Sequence, residues 1–189
     1  MEKALPIRKH PRLKGYDYSN NGAYFLTLCV EGRHEMLGKI VGRDVLIAPE
    51  NINTLIVPHI ELSEYGKIAD KHINKINSLN NIISVDNYVI MPNHIHLLIA
   101  IQKSETSSVG ENGAMRTSRP TSASIPSLMR SFKTMVTKEI GFSLWQTTYH
   151  DHIIRDEADY QRRWRYIDEN PAKWAEDEFY GGISSGKTI

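Results

Sequence analysis

Two histidines one position apart, His94 and His96 in the phrase MPNHIHLLI, are the residues best suited to chemistry. On an extended strand, residues two apart share a face, so both imidazoles project together while Ile95 and Leu97 point the other way. Two imidazoles on one rigid strand form half of a metal site. A bare His-x-His is equally consistent with a hydrogen-bonded structural pair. Its setting favours ligands, because the pair follows a Pro92-Asn93 break inside the most apolar part of the chain. Titratable rings placed there cost stability unless something satisfies them. Ligands on a strand surface carry little packing, so replacing either by alanine is expected to spare the fold.

A second set lies near the C-terminal end. Asp156 can cap a helix that Pro171 stops just after Asn170. At about 100° per residue, Tyr160, Trp164 and Ile167 fall on one stripe, which is expected to be buried. Tyr166 and Asn170 are one turn apart and well off that stripe. Tyr166 is therefore not explained by core packing; a surface tyrosine packed on Arg162 or Arg163 is the plain alternative. Asn170 has its own plain alternative, a helix C-cap before proline.

Cations gather in the same region. Arg155, Arg162, Arg163 and Arg165 accompany Trp164 and Tyr166, Arg130, Lys133 and Lys138 lie on the preceding helix, and Arg8, Lys9, His10, Arg12 and Lys14 crowd the N-terminus. Arginines interleaved with aromatics suit single-stranded nucleic acid, through phosphate contact and base stacking. A solvated helix face is the alternative, and charge alone does not choose. No G-x-x-x-x-G-K-[ST], G-x-G-x-x-G or G-x-S-x-G occurs, so nucleotide hydrolysis, dinucleotide binding and serine hydrolase chemistry lose their usual signals.

These groups need elements to hold them. Residues 1–22 read as a basic, turn-rich arm. Residues 24–30 (YFLTLCV) read as a buried strand, and 36–41 with 44–48 as a small hairpin about Gly42-Arg43. Asn53 could cap a helix to about Lys75. Residues 82–91 and 95–101 form two adjacent strands. The Ser/Thr/Gly-rich stretch 103–124 is a flexible linker within a single domain spanning 1–189. Residues 125–140 repeat apolar side chains at three-and-four spacing, an amphipathic helix. Residues 144–154 are extended in part, and 156–170 form the last helix. This order predicts an α+β fold, one antiparallel sheet covered by helices.

The bulk numbers agree with one globular unit: 189 residues, 40% hydrophobic and 24% charged. A net charge of +1 means that any nucleic-acid binding must rest on local patches. The single Cys29, inside an apolar run, excludes a disulfide framework and a Cys-based zinc module. With no signal peptide or spanning segment in the sequence, the expectation is a soluble cytoplasmic protein with no membrane partner.

Taken together, YVIMPNHIHLLI, SFK, LWQTTYHDHIIRDEADY and RYIDENP, in that order, resemble the single-tyrosine HUH transposases, and within them the IS200-like, REP-associated branch. RLKGYDYSNNGAYFLTLCVEGR resembles that family's opening strand, so the likeness runs from about Arg12 to Trp174. The resemblance implies a ferredoxin-like or RRM-like sheet. It implies His94 and His96 as metal ligands, Ile95 in the bulky slot between them, Tyr166 as the nucleophile and Asn170 as the polar residue completing a Mg²⁺ or Mn²⁺ site. The implied partner is single-stranded DNA with small hairpins, contacted by Arg12, Lys14, Arg130, Lys133, Arg155, Arg162, Arg163 and Trp164. The implied reaction cleaves and rejoins that strand through a 5′-phosphotyrosine. Monomer and homodimer both remain open. The long insertion after the second histidine strand departs from the family pattern. A domesticated, non-mobilising hairpin-binding protein of the same fold is the alternative function. An unrelated metallohydrolase ranks lower, since neither His-x-His-x-Asp-His nor H-E-x-x-H occurs.

Overall fold

The computed structural model describes residues 13, 15–42, 58–79, 81–103 and 124–180. Arg12, Lys14, the expected strand at 44–48, the cap at Asn53 and linker residues 104–123 lie outside them. The chain forms β1 (Gly22–Cys29), β2 (Gly38–Val41), β3 (His59–Leu62), α1 (Glu64–Leu79), β4 (Ile83–Ile90), β5 (His94–Ile101), α2 (Ile125–Ile140), β6 (His150–Ile153) and α3 (Glu157–Glu169). Strands β4, β5, β1 and β6 make one sheet in that order, every pairing antiparallel. Leaving β2, β3 and the final helix α3 aside, the chain runs β-α-β-β-α-β with the two central strands drawn from opposite halves. That is the ferredoxin-like arrangement.

Strand alternation divides the sheet between two layers. Tyr24, Leu26 and Leu28 of β1 and Ile95, Leu97, Ile99 and Ile101 of β5 face the main core. Ala69, Ile73 and Ile76 of α1 and Ile125, Met129, Phe132 and Val136 of α2 close over them. The other face buries Phe25 and Leu98 against Ile167 of α3, with Tyr160 and Trp164 packed alongside. Strand β5 is therefore buried at every residue, which is why it reads as an unbroken apolar run. The helix at 125–140 appears with the expected bounds. It stops where Gly141, at φ 92°, turns its N–H back to Thr137 O.

The stretch before α1 departs from its expected form in two ways. The partner of β2 is β3, with Gly38 opposite Leu62 and Val41 opposite His59, rather than a strand at 44–48. Residues 59–62 are a strand and not the second turn of a helix begun at Asn53. The sequence HIEL alternates polar and apolar, and Ile60 and Leu62 are half-buried while His59 and Glu61 are exposed. The helix begins after Ser63, whose hydroxyl donates to Met36 O at 2.6 Å and accepts from Gly66 N at 3.1 Å. One serine thus caps α1 and ties it to the β2 side.

Gly66 sits where α1 crosses that segment so closely that a Cβ would collide with the Leu37 carbonyl oxygen. Alanine favours helix over glycine by about 1 kcal/mol, yet overpacking at such a contact costs about 1–3 kcal/mol. Gly66→Ala is therefore expected to lower the unfolding midpoint in urea. A more stable variant would show that the segment yields freely.

Candidate active site

β5 carries His94 and His96 on the face turned to α3, opposite Cys29 and Thr27 of β1. Both are enclosed, 0% and 1% exposed, so the expectation of strand-surface ligands with little packing is corrected. Their cover comes from α3 and from the chain beyond it. Phe179 lies with its ring centre 4.7 Å from that of His94, Trp174 at 5.8 Å, and Tyr166 stands edge-on to His96 at 5.1 Å.

A hydrogen bond fixes the His94 tautomer. Asn93 is fully buried, and its amide nitrogen donates to the carbonyls of Arg33 at 3.2 Å and Phe179 at 2.8 Å. Its oxygen must then face His94 Nδ1, 2.9 Å away, so that ring nitrogen carries the proton. His96 Nδ1 lies 2.8 Å from Thr27 Oγ1, which can accept in the same way. The two Nε2 atoms converge 2.9 Å apart, a hydrogen bond when His96 carries its proton on Nε2. Burial lowers the proton affinity of both rings, most strongly His96, where the His94 and Arg163 charges add to it. Two neutral imidazoles aimed at one point are a metal-ready pair.

α3 brings the second set. Asp156 accepts from Asp159 N at the helix start, as expected of the cap. Tyr166 is 36% exposed and Asn170 is buried. A carboxylate the sequence reading missed joins them. Asp177 Oδ2 accepts from Tyr166 Oη at 3.0 Å and from Asn170 Nδ2 at 2.8 Å, while Oδ1 accepts from Phe179 N at 2.7 Å. Asp177 also converges with His94 and His96, one ligand atom from each lying within 4.8 Å of the others. Nothing in AEDEFY marks Asp177 from its acidic neighbours, because only the turn over the histidines selects it. Burial, and then the Asp177 charge, raise the Tyr166 hydroxyl well above the usual phenol range.

The residues fit a divalent ion. Adjacent corners of an octahedron with bonds of about 2.1 Å lie about 3.0 Å apart, close to the 2.9 Å between the two Nε2 atoms. The amide oxygen of Asn170 is buried without a hydrogen-bond partner, as a waiting ligand would be. Two imidazoles, a carboxylate and an amide oxygen are a mixed N/O set that could hold a divalent cation.

The expected DNA-contact residues are dispersed. Arg163 lines a cavity of about 460 Å³ with Tyr166, Asn170 and Asp177. Arg155 and Arg162 are exposed, Arg162 lying 3.4 Å from Asp159. Trp164 is packed on the Phe25–Leu98–Ile167 cluster. Arg130 and Lys133 belong to α2, on the sheet's other side, where Lys133 Nζ donates to the carbonyls of Gln146, Thr147 and Thr148. Tyr149 is buried in the main core, and Tyr160 donates to Asp86 at 2.9 Å.

Fold and site together define an α+β protein with a buried histidine pair facing a helix-borne tyrosine. A REP-associated tyrosine transposase, solved bound to a REP hairpin, has a similar structure at a TM-score of 0.52 and 16% identity, covering 93% of this chain and 77% of that one. No family model matches the chain. An uncharacterized protein of Haemophilus influenzae is 31% identical over 183 residues, 92% of this chain and 93% of that protein. The chain belongs to that protein's family, and its fold is that of the tyrosine transposase, as the motif resemblance implied.

A cation held by His94, His96 and Asp177 would link stability to metal. Mn²⁺ at 100 times its dissociation constant should stabilise the protein by about 2.7 kcal/mol, and His96→Asn should abolish that gain. His94→Ala should lower metal-free stability by about 1–3 kcal/mol, since Asn93 Oδ1 loses its donor. Denaturant titration with and without Mn²⁺ measures both.

Proposed function

We propose that this protein is a metal-dependent transposase that cleaves and rejoins single-stranded DNA near hairpins, with Tyr166 as nucleophile. The observation that carries the reading is the convergence of Tyr166, Asn170 and Asp177 on the buried His94–His96 pair. The fold shared with a transposase bound to a REP hairpin supports it.

His94, His96, Asp177 and Asn170 Oδ1 would hold Mg²⁺ or Mn²⁺. A divalent ion there would polarise the phosphorus through a non-bridging oxygen and neutralise charge developing in the transition state. The chain's own residues do the rest. Asn93 holds His94 in the tautomer that leaves its Nε2 lone pair free, and the Thr27 hydroxyl can accept from His96 Nδ1 when His96 Nε2 turns its lone pair to an ion. Asp177 Oδ2 accepts the Tyr166 proton in a hydrogen bond and fixes where the phenol oxygen sits. As that oxygen attacks, its proton passes to Asp177 Oδ2, the bond from Tyr166 Oη to phosphorus forms and the bond from phosphorus to O3′ breaks, and O3′ takes up a proton from solvent to leave as a 3′-hydroxyl. The ester energy stays in the 5′-phosphotyrosine, so attack by a 3′-hydroxyl reverses the step and rejoins DNA without ATP. No helix among the described residues is long and apolar enough to cross a membrane; the proposed setting is the cytoplasm, with Cys29 buried and unpaired.

Tyr166→Phe removes one oxygen and leaves the ring against His96 and Phe25. It is expected to form no SDS-resistant adduct with a hairpin-bearing single strand in Mn²⁺, while still binding it. Tyr149→Phe and Tyr160→Phe should keep adduct formation. A DNA-linked peptide mapping to Tyr149 would refute the assignment. Loss of the adduct in every arm with hairpin binding intact would point to the domesticated, non-mobilising binder instead. Binding should favour the hairpin-bearing strand over blunt duplex and weaken as salt rises; anisotropy titration at several salt concentrations measures this.

A further inference from the structure

The cavity that holds Tyr166 is mostly acidic. Glu169, Glu176, Asp177 and Glu178 line it, and the lining cations are Arg163 and Lys173. A phosphodiester entering meets repulsion from those carboxylates, so a fixed positive charge beside the nucleophile has work to do. Lys173 is already engaged, its Nζ 2.7 Å from Glu169 Oε2. Arg163 is held but not saturated. Its Nε stands 3.7 Å from Asp159 Oδ1, an ion pair too long for a hydrogen bond, and with the side chain 34% exposed the guanidinium stays open to the cavity it lines.

The guanidinium is also well positioned. Its carbon lies 5.1 Å over the Phe25 ring. The same ring stacks on His96 at 5.1 Å and meets Tyr166 edge-on at 5.9 Å. One aromatic side chain therefore sets the spacing of cation, metal-ready imidazole and nucleophile. Asp159 steadies the other end, its Oδ2 2.7 Å from His152 Nε2. Three residues before Tyr166, Arg163 lies one helical turn away on the same side of α3.

Resting on the assignment of Tyr166 as nucleophile, we infer that Arg163 grips the scissile phosphate, donating from its guanidinium to a non-bridging oxygen as Tyr166 attacks. It is thus a catalytic residue, distinct from Arg155, Arg162 and Arg165, which are exposed and do not line the cavity. A planar guanidinium suits this role because it can present parallel N–H groups to a phosphate and keeps its charge when partly buried.

Single-turnover adduct formation with a hairpin-bearing oligonucleotide and Mn²⁺ tests it, together with hairpin affinity. Arg163→Ala should slow adduct formation about 10²–10³-fold, as loss of one transition-state donor does, with a much smaller change in affinity. Added guanidinium ion should restore part of the rate, which a merely structural role would not allow. Wild-type rates in Arg163→Ala, alongside none in Tyr166→Phe, would overturn this inference and leave the nucleophile standing. A separate arm needs no covalent chemistry. In Tyr166→Phe protein, the Arg163 Nε–H resonance, assigned by its loss in Arg163→Lys, should shift on addition of the oligonucleotide. An unmoved resonance overturns the inference even if wild type forms no adduct, an outcome that would itself count against Tyr166.

Discussion

The Nε2 atoms of His94 and His96 lie 2.9 Å apart inside the protein, and the features around them answer the cost of keeping two titratable rings there. Burial makes both rings neutral, and a neutral imidazole still needs a partner for its N–H. Asn93 supplies one, and its own amide is held by carbonyls from two distant segments, at Arg33 and Phe179. The Pro92-Asn93 break is thus more than a turn between strands. It is where the strand pair, the loop after β1 and the C-terminal segment are pinned together around the histidines.

The sheet's two faces divide the work. One is an ordinary hydrophobic core under α1 and α2, enough to hold β1 and β5 in register. The other is thin, with Phe25, Leu98 and Ile167 at its centre and polar groups along its margin. That thinness leaves room on this face for polar groups, with Tyr166 partly exposed beside the enclosed histidines. The spacing on α3 then does the rest. Arg163, Tyr166 and Asn170 follow at three and four residues, so one side of a single helix delivers a cation, a phenol and an amide to the same cavity.

The segment after α3 closes the arrangement. Trp174 and Phe179 stack over His94, and Arg33 lies over Phe179 while donating to the Glu178 carbonyl at 3.2 Å. Held this way, Asp177 bonds both Tyr166 and Asn170. A carboxylate in that place serves the phenol and the histidine pair at once, which couples the orientation of the Tyr166 hydroxyl to the histidine pair.

What the sequence by itself determined is what depends on local period and local stereochemistry. The apolar runs of β1, β4 and β5, the three-and-four repeat of α2, the Asp156 cap and the separation of Tyr166 from the Tyr160–Trp164–Ile167 stripe were all legible, and so was the shared face of His94 and His96. Tertiary structure decided the rest. Apolar residues at 55, 56, 60 and 68 fit a helix as well as HIEL fits a strand, and only pairing with β2 makes 59–62 extended. Burial of the histidine pair depends on cover from α3 and from residues 174 and 179, far away in sequence. Asp177 has no local signature, because its role comes from a turn that folds back over β5. Among the cations, composition could not separate Arg163 at the cavity from Lys133, which holds loop carbonyls on the other side of the sheet. Charge is read from the residue; the partner it meets is set by the fold.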